Sequence, residues 1–137
     1  MQPYLHRVQY YETDKMGIVH HSNYIRWMEE ARVDFLAQIG WNFEKLEAKG
    51  VASPVLAVRC SYKRPTRFPE QIRIAVVLKD YHGVRMTIGY RMENADGMLV
   101  CEGETDHCFV DGAGQPVRLR RELPDFDAAL RALLASD

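Results

Sequence analysis

Hydrophobic side chains recur with a helical period in one stretch near the N-terminus. At about 100° per residue they form a stripe about 120° wide that contains Tyr24, Trp27, Met28, Ala31, Phe35 and Ile39. This pattern predicts a long amphipathic helix with Ser22 as its N-cap and Gly40 at its C-terminal end. The opposite side of the helix is mostly charged, and a short second helix, Asn42–Lys49, is predicted to follow.

Outside these helices the apolar positions recur with a period near two, which is typical of β-strands. One such segment, Leu5–Tyr11, precedes the long helix. Four longer segments come after the helices: Val51–Tyr62, Gln71–Tyr81, Val84–Glu93 and Met98–Val110. The short turns between them favour hairpins and therefore a mostly antiparallel sheet. After Pro124, the segment Asp125–Ala135 predicts a short amphipathic helix.

The order of these elements predicts an α+β fold in a single domain, residues 1–137. An antiparallel sheet of about five strands can bury one face by wrapping around the one long helix. Its other face and its edges still need to be covered, so we expect the protein to self-associate.

Composition narrows the class of protein. The 137 residues are 47% hydrophobic and 27% charged with a net charge of −1, so we expect a globular domain without affinity for nucleic acid. No apolar run approaches the roughly 20 residues of a transmembrane helix, and the N-terminus lacks the apolar core of a signal peptide. Three cysteines without CxxC spacing indicate reduced thiols in a cytoplasmic protein.

Candidate chemistry is concentrated in the segment Tyr10–Tyr24, YYETDKMGIVHHSNY. It combines an acid, two adjacent histidines and the start of the long helix. The carboxylate of Asp14 could activate water or attack a carbonyl, and the unpaired N–H groups of a helix N-terminus favour a developing oxyanion. From the spacing alone, Asp14 could equally close a turn or cap a helix.

Three blocks extend this motif across most of the chain: RVQYYETDKMGIVHHSNYIRWMEEAR, YKRPTRFPEQIRI and CEGETDHCFVDGAGQPVRL. Together they resemble the hotdog-fold acyl-CoA thioesterases, in particular the group that contains 4-hydroxybenzoyl-CoA thioesterase and the YbgC-type enzymes. The first block is the most specific, because it keeps T-D, G-I-V, N-Y and R-W at the spacing of that family. The resemblance implies a hotdog fold and the hydrolysis of an acyl-CoA thioester to an acid and free CoA.

The resemblance also implies roles for the catalytic candidates. Asp14 matches the aspartate that acts as general base or as nucleophile in the family. The backbone N–H of His21 matches the donor that polarises the thioester carbonyl, and its ring could orient water or protonate the leaving thiolate. Tyr10 matches a tyrosine of the YbgC-type site. In the alternative interpretation, His21 supplies only backbone geometry and Tyr10 only packs its ring.

Substrate contacts are implied in the same way. Gly17 and Val19 belong to the G-I-V segment, and His20 stands at a position that forms the pocket wall. The phosphates of CoA require basic side chains, for which the candidates are Lys63, Arg64, Arg67 and Arg85, followed by His82, Arg118, Arg120 and Arg121. In 4-hydroxybenzoyl-CoA thioesterase a basic cluster lies in the hairpin that matches Tyr81–Arg85, where this chain keeps only Arg85 as a basic residue.

No metal and no redox cofactor is implied, since CoA enters as part of the acyl-CoA substrate. Adjacent histidines point apart, and the other histidines lack the spacing of metal ligands. Two chains are expected to join their sheets in a homodimer with active sites at the interface, and a homotetramer is expected from such dimers. The chain length or aromatic character of the acyl group does not follow from the sequence.

Three alternatives remain at this point. One is a hotdog hydratase or dehydratase, and another is a non-catalytic module that binds acyl groups or an acyl carrier protein. A third places the catalytic carboxylate within the long helix, as another hotdog branch does, at Glu29 or Glu30. Both lie opposite the apolar stripe, where ion pairs with Arg26 and Arg32 are the expected use of these acids.

Overall fold

The computed structural model describes residues 1–136, so that Asp137, the last residue of the predicted domain, lies outside it. Its five strands are β1 (Tyr4–Arg7), β2 (Val55–Tyr62), β3 (Gln71–Tyr81), β4 (Arg85–Glu93) and β5 (Leu99–Cys108). They form one antiparallel sheet in the order β1-β3-β4-β5-β2. The helices are α1 (Ser22–Gln38), α2 (Phe43–Ala48), α3 (Leu119–Glu122) and α4 (Pro124–Ser136). The predicted α+β architecture, a five-stranded antiparallel sheet around a long helix, is confirmed.

The core lies between α1 and the inner face of the sheet. The apolar side of α1 is fully or almost fully buried from Tyr24 to Leu36, as the periodicity predicted. The helix packs closely on the sheet at Gly103 of β5, where an added Cβ atom would collide with Cε of Met28 and lie 2.8 Å from the carbonyl oxygen of Arg59. A glycine is therefore required there to let α1 sit on the sheet.

The tail helix contributes to the same core. Phe126 and Leu130 of α4 are fully buried, and the ring of Phe126 stacks on Trp41 at 5.0 Å between centroids. Pro124 occupies the first position of α4, where its missing N–H has no cost. The predicted tail helix is confirmed. The inner face of the sheet is, however, buried against α4 as well as against α1. The short helix α3 before it was not predicted.

Some predicted strand bounds are wrong. The strand predicted at Leu5–Tyr11 ends at Arg7, and Tyr10–Glu12 forms a single 3₁₀ turn. The turn is held because the Glu12 amide donates to the Gln9 carbonyl at 3.0 Å and the Glu12 carboxylate accepts from the Gln9 amide at 2.8 Å. Strand β2 begins at Val55 rather than Val51, β4 begins one residue later than predicted, and β5 is shorter at both ends.

Strand β2 lies at one edge of the sheet and pairs only with β5. Four of its large apolar residues are exposed: Val55, Leu56, Val58 and Tyr62. The outer face of the sheet is covered by ion pairs instead, since Arg59 contacts Glu104 at 2.9 Å and Asp106 at 3.0 Å, and Lys79 also contacts Glu104. The β2 edge therefore exposes apolar side chains, whereas the neighbouring outer face of the sheet exposes charged ones.

Candidate active site

Asp14 lies in a tight turn between the 3₁₀ turn and α1. Its amide donates to the carbonyl of Ile18 at 2.8 Å, and its carbonyl accepts from the amide of Gly17 at 3.0 Å. Gly17 has a φ of +79°, a conformation that favours glycine. One carboxylate oxygen, Oδ1, accepts from the Met16 amide at 2.8 Å, whereas Oδ2 has no partner among residues 1–136. Asp14 thus closes the turn and still presents one free oxygen.

Asp14 lines an open cavity of about 680 Å³. The other residues that line this cavity are Tyr10, Thr13, Lys15, Gly17 and Phe68. Tyr10 is 75% exposed, and its ring lies 5.8 Å from that of Phe68. The structure therefore brings together three of the predicted site residues, namely Asp14, Tyr10 and Gly17.

His21 stands at the start of α1 as its N-cap, so the prediction that Ser22 caps this helix is wrong. The reason is that His21 already has helical backbone angles, φ −58° and ψ −25°, which make Ser22 the first residue of the helix. The ring of His20 takes over the capping role, because its Nδ1 accepts from the Ser22 amide at 3.2 Å. The amide of His21 has no acceptor within the described part of the chain and is available to a ligand.

The expectation that the side chains of the adjacent histidines, His20 and His21, point apart is wrong. Both rings are exposed and stack on each other at 4.3 Å, and the His21 carbonyl accepts from the hydroxyl of Tyr62 at 3.2 Å. Neither His20 nor His21 lines the Asp14 cavity. Val19 is buried in the core, and its amide donates to the Thr66 carbonyl at 2.9 Å. The roles of His20 and Val19 in substrate binding stay predictions.

A buried carboxylate ties the Asp14 loop to α1, and the sequence analysis missed it. Glu12 is 5% exposed and accepts from Trp27 Nε1 at 2.8 Å and from the Gln9 amide at 2.8 Å, with His6 Nε2 at 2.9 Å. Its carbonyl accepts from the amides of His20 (2.8 Å) and of the Asn23 side chain (2.9 Å). The signal that could have found it is Trp27 on the apolar stripe, since a buried indole N–H needs an acceptor.

Electrostatics keep Glu12 charged. Burial acts to raise the pKa of this carboxyl, but the hydrogen bonds from Gln9, Trp27 and His6 outweigh burial and hold the pKa below its ordinary value. Glu12 is therefore an ionised carboxylate whose acceptor capacity is taken up by the protein itself. It holds the loop in place, and Asp14 is left as the acid that faces the cavity.

Among the basic candidates, Arg67 lies beside the Asp14 loop. A Cβ atom added to Gly17 would be 3.7 Å from Arg67 Nη1. Lys63 and Arg64 follow β2, where both amides donate to the Val100 carbonyl, and Arg85 begins β4. Among the remaining candidates, His82 pairs with Asp80 at 2.7 Å, whereas Arg118 and Arg121 line a separate cavity near Lys49. The contacts of these side chains with CoA stay predictions.

The expected charged face of α1 needs one correction. Glu29 and Glu30 are exposed as predicted, and Glu30 lies 3.6 Å from His6 Nδ1. Arg32, however, is 4% exposed and forms no ion pair with either acid, because its Nη1 donates to Ser53 Oγ at 2.9 Å. Arg26 is exposed, and no ion pair links it to an acid in residues 1–136.

The described residues contain neither a metal-binding cluster nor a membrane-spanning helix. Within residues 1–136, no three His, Cys, Asp or Glu side chains lie close enough together to hold a metal ion. The same residues contain no helix with the length and hydrophobicity needed to cross a membrane. The three cysteines are free thiols.

Known proteins share both the sequence and the fold. A profile of the thioesterase-like superfamily matches residues 8–134. The chain is 37% identical over 89% of each chain to Bacillus subtilis YneP, provisionally named an acyl-CoA thioesterase, and 29% identical over 86% of each to the Escherichia coli O6:H1 acyl-CoA thioester hydrolase YbgC. A solved structure of a DHNA-CoA thioesterase from Staphylococcus aureus matches with a TM-score of 0.94 at 30% identity, covering 98% of this chain and 91% of that one. The chain therefore belongs to the thioesterase-like superfamily and has the hotdog fold.

Proposed function

We propose that this protein is an acyl-CoA thioesterase, which hydrolyses an acyl-CoA thioester to a free carboxylic acid and CoA. The observation that carries the proposal is the free Oδ2 of Asp14, held by a tight turn on the wall of an open cavity directly before α1. The names of YneP, YbgC and the Staphylococcus aureus enzyme support the same reaction class.

Asp14 supplies the reactive oxygen in either of two routes. As a general base it takes a proton from the water that attacks the thioester carbon. As a nucleophile it forms a mixed anhydride with the acyl group, which water then hydrolyses. In both routes the C–S bond breaks, the CoA thiolate leaves and accepts a proton, and one water molecule is consumed for each acid released.

The start of α1 stabilises the charge that develops on the carbonyl oxygen. The free amide of His21 donates to this oxygen, and the positive end of the helix dipole adds to the effect. The His21 ring and the Tyr10 hydroxyl support the departure of the thiolate. Both side chains are exposed, and Tyr10 lines the Asp14 cavity.

CoA binds as part of the substrate, without a metal or a redox cofactor. Arg67 beside Gly17 is the basic side chain best placed for a phosphate, and Lys63, Arg64 and Arg85 are further contacts. Gly17 has no side chain, which lets the ligand approach the loop backbone closely. His20 and Val19 contribute to the acyl side of the pocket.

The active form is a cytoplasmic homodimer in which two sheets join through the β2 edges, and such dimers pair into a homotetramer. The exposed apolar residues of β2 and its unpaired backbone groups support this assembly. The dimer interface then borders the cavity of each protomer.

The experiment that tests the proposed function measures thiol release from short, medium, long and aryl acyl-CoAs. We expect clear turnover by the wild type with at least one substrate and a loss of about 100-fold, or about 2.7 kcal/mol, in Asp14→Asn. An amide oxygen can still close the turn but cannot act as base or nucleophile.

Asp111→Asn is a matched control, because Asp111 Oδ1 also closes a turn by accepting from the amides of Ala113 and Gln115. We expect this variant to retain wild-type turnover. If the wild type binds acyl-CoA but hydrolyses none of the panel, the thioesterase proposal is wrong and a non-catalytic binding module takes its place.

A further inference from the structure

Arg32 is a buried cation at the wall of a second cavity, which lies between α1, α2 and the segment before β2. This cavity has a volume of about 290 Å³ and shares no lining residue with the Asp14 cavity. Arg32 follows His21 by eleven residues, which corresponds to about 16 Å along the helix axis. The second cavity is therefore a distinct place in the protomer.

The guanidinium of Arg32 is only partly satisfied by the protein. Nη1 donates to Ser53 Oγ at 2.9 Å and lies 3.5 Å from the Ser53 carbonyl, and the group stands 5.2 Å from the centre of the Phe43 ring. A guanidinium carries five N–H donors, so several remain without an acceptor in residues 1–136. In these residues, no buried side-chain nitrogen lacks a hydrogen-bond partner. The remaining donors of Arg32 are therefore not buried, and they open into the cavity that Arg32 lines.

No negative charge of the protein neutralises Arg32 at close range. No carboxylate within the described residues lies within 4 Å of the guanidinium, and the acids nearest in sequence or on the rim, Glu29 and Glu47, are exposed. Burial raises the pKa of Tyr90 to about 12 and lowers the pKa of His107 to about 4, so both neighbours are neutral near pH 7. Burying an unpaired cation is costly, which makes this position one where a ligand anion would be strongly favoured.

Apart from Ser53 and the exposed Glu47, the rest of the cavity wall is apolar. Its hydrophobic lining comes from Phe43, Leu46, Val51, Ala52, Pro54 and Val110. A ligand that fits must therefore place one anionic group on the guanidinium and a hydrocarbon body against these side chains. The volume is at the small end of ligand pockets, which suits a body about the size of a phenyl ring or a five-carbon chain.

We propose that this cavity binds a carboxylate carried on a compact apolar body, with the carboxylate on Arg32 and the body against Phe43, Leu46 and Val51. A carboxylate matches the fork of a guanidinium and gains charge-assisted hydrogen bonds from it. A free carboxylic acid of this size supplies this chemistry, because the cavity lies too far along α1 from His21 for the distal carboxylate of a compact acyl group whose thioester is held there.

Calorimetric titration of the full-length protein with benzoate and with neutral benzamide tests the proposal. We expect benzoate to bind the wild type at least 10-fold more tightly than benzamide and to lose at least 10-fold in affinity in Arg32→Met. Arg26→Met is the matched control, since Arg26 is an exposed arginine on the same helix, and it should bind benzoate like the wild type. Equal affinities for benzoate and benzamide, or unchanged binding in Arg32→Met, would overturn the proposal.

A second measurement needs no variant and covers the case in which Arg32→Met does not fold. Benzoate added to the wild type should shift the NMR signal of the Arg32 side-chain Nε–H and the backbone amide signals of Ala52 and Ser53. If those signals stay in place while benzoate is saturating, the cavity is not the binding site and the proposal fails.

The titration and the NMR measurement stand whether or not the protein hydrolyses any thioester.

Discussion

Asp14 combines two tasks in a single carboxylate. Oδ1 is bound by the Met16 amide and fixes the direction of the group, whereas Oδ2 has no partner among residues 1–136, and the residue lines the cavity. In the proposed mechanism, an oxygen held in this way loses little rotational freedom when substrate arrives. The structural and the chemical interpretations of Asp14 are therefore compatible, and a comparison of Asn substitutions at Asp14 and Asp111 can separate their contributions.

His107 gives a prediction for the pH dependence of stability. Its ring is fully buried, and burial, with the nearby charge of Arg32, lowers its pKa from 6.5 to about 4. Between these two pH values the unfolded chain binds the proton and the folded protein does not. The free energy of unfolding should therefore fall as the pH falls from 6.5, by up to about 1.4 kcal/mol per pH unit from this group.

Urea unfolding of the wild type and of His107→Gln at pH 7 and pH 5 measures this contribution. Removing the titratable ring should make the stability of the variant less dependent on pH than that of the wild type. Identical pH dependence in the wild type and His107→Gln would contradict the prediction.

At the scale of the elements, the packing of α1 on β5 depends on the absence of a side chain at residue 103. In Gly103→Ala the new methyl group would collide with Met28 and with the Arg59 carbonyl, and the backbone atom cannot move aside easily. We expect the free energy of unfolding to fall by about 1–3 kcal/mol, the usual cost of overpacking a core, as measured by urea denaturation.

Gly89→Ala is the matched control in the neighbouring strand. A methyl group there would meet only the flexible side chain of Lys79, at 3.1–3.2 Å, which can move towards solvent. We expect a change in stability of less than about 1 kcal/mol, because alanine also restricts the unfolded chain. An equal loss in both variants would show that Gly103 does not set the distance between helix and sheet.

Periodicity predicted those elements whose structure depends on a regular apolar face. The stripe from Tyr24 to Ile39 located α1, and the alternation in Gln71–Tyr81 gave both bounds of β3 as the structure has them. The 3₁₀ turn Tyr10–Glu12 was missed because Val8, Gln9 and Tyr10 still alternate in polarity, while contacts of the Glu12 carboxylate decide the backbone.

The same limit applies to individual residues of the site. The motif and its family resemblance pointed to Asp14, Tyr10 and Gly17, which the structure brings to one cavity. The burial of Arg32 could not be predicted from its position on a charged face of α1. It depends on Ser53 and Phe43, which come from segments outside the helix and approach it only in the folded chain.

At the scale of the whole molecule, the β2 edge predicts how protomers associate. Val58 is 38% exposed on this edge, and a lysine there would place a charge inside an interface between joined sheets. We expect the wild type to sediment as a homodimer or a homotetramer and Val58→Lys to sediment as a monomer in analytical ultracentrifugation.

Val77→Lys is the control that distinguishes an effect at the β2 edge from an effect elsewhere on the surface of the sheet. Val77 is 43% exposed on β3, an inner strand of the sheet. A lysine at this position should leave the dimer intact, and it would weaken the homotetramer only if dimers pair through that face. A monomeric wild type, or dimers that persist in Val58→Lys, would contradict assembly through β2.

The Glu12 contacts have a consequence for motion. Because this carboxylate holds Trp27 while its carbonyl holds His20 and Asn23, the Asp14 loop and the first turns of α1 form one rigid body. In the proposed mechanism, the free oxygen of Asp14 and the amide of His21 would then keep the same separation with or without substrate. Adjustment to acyl groups of different shape would fall to the exposed rings of Tyr10 and Phe68, at the rim of the cavity.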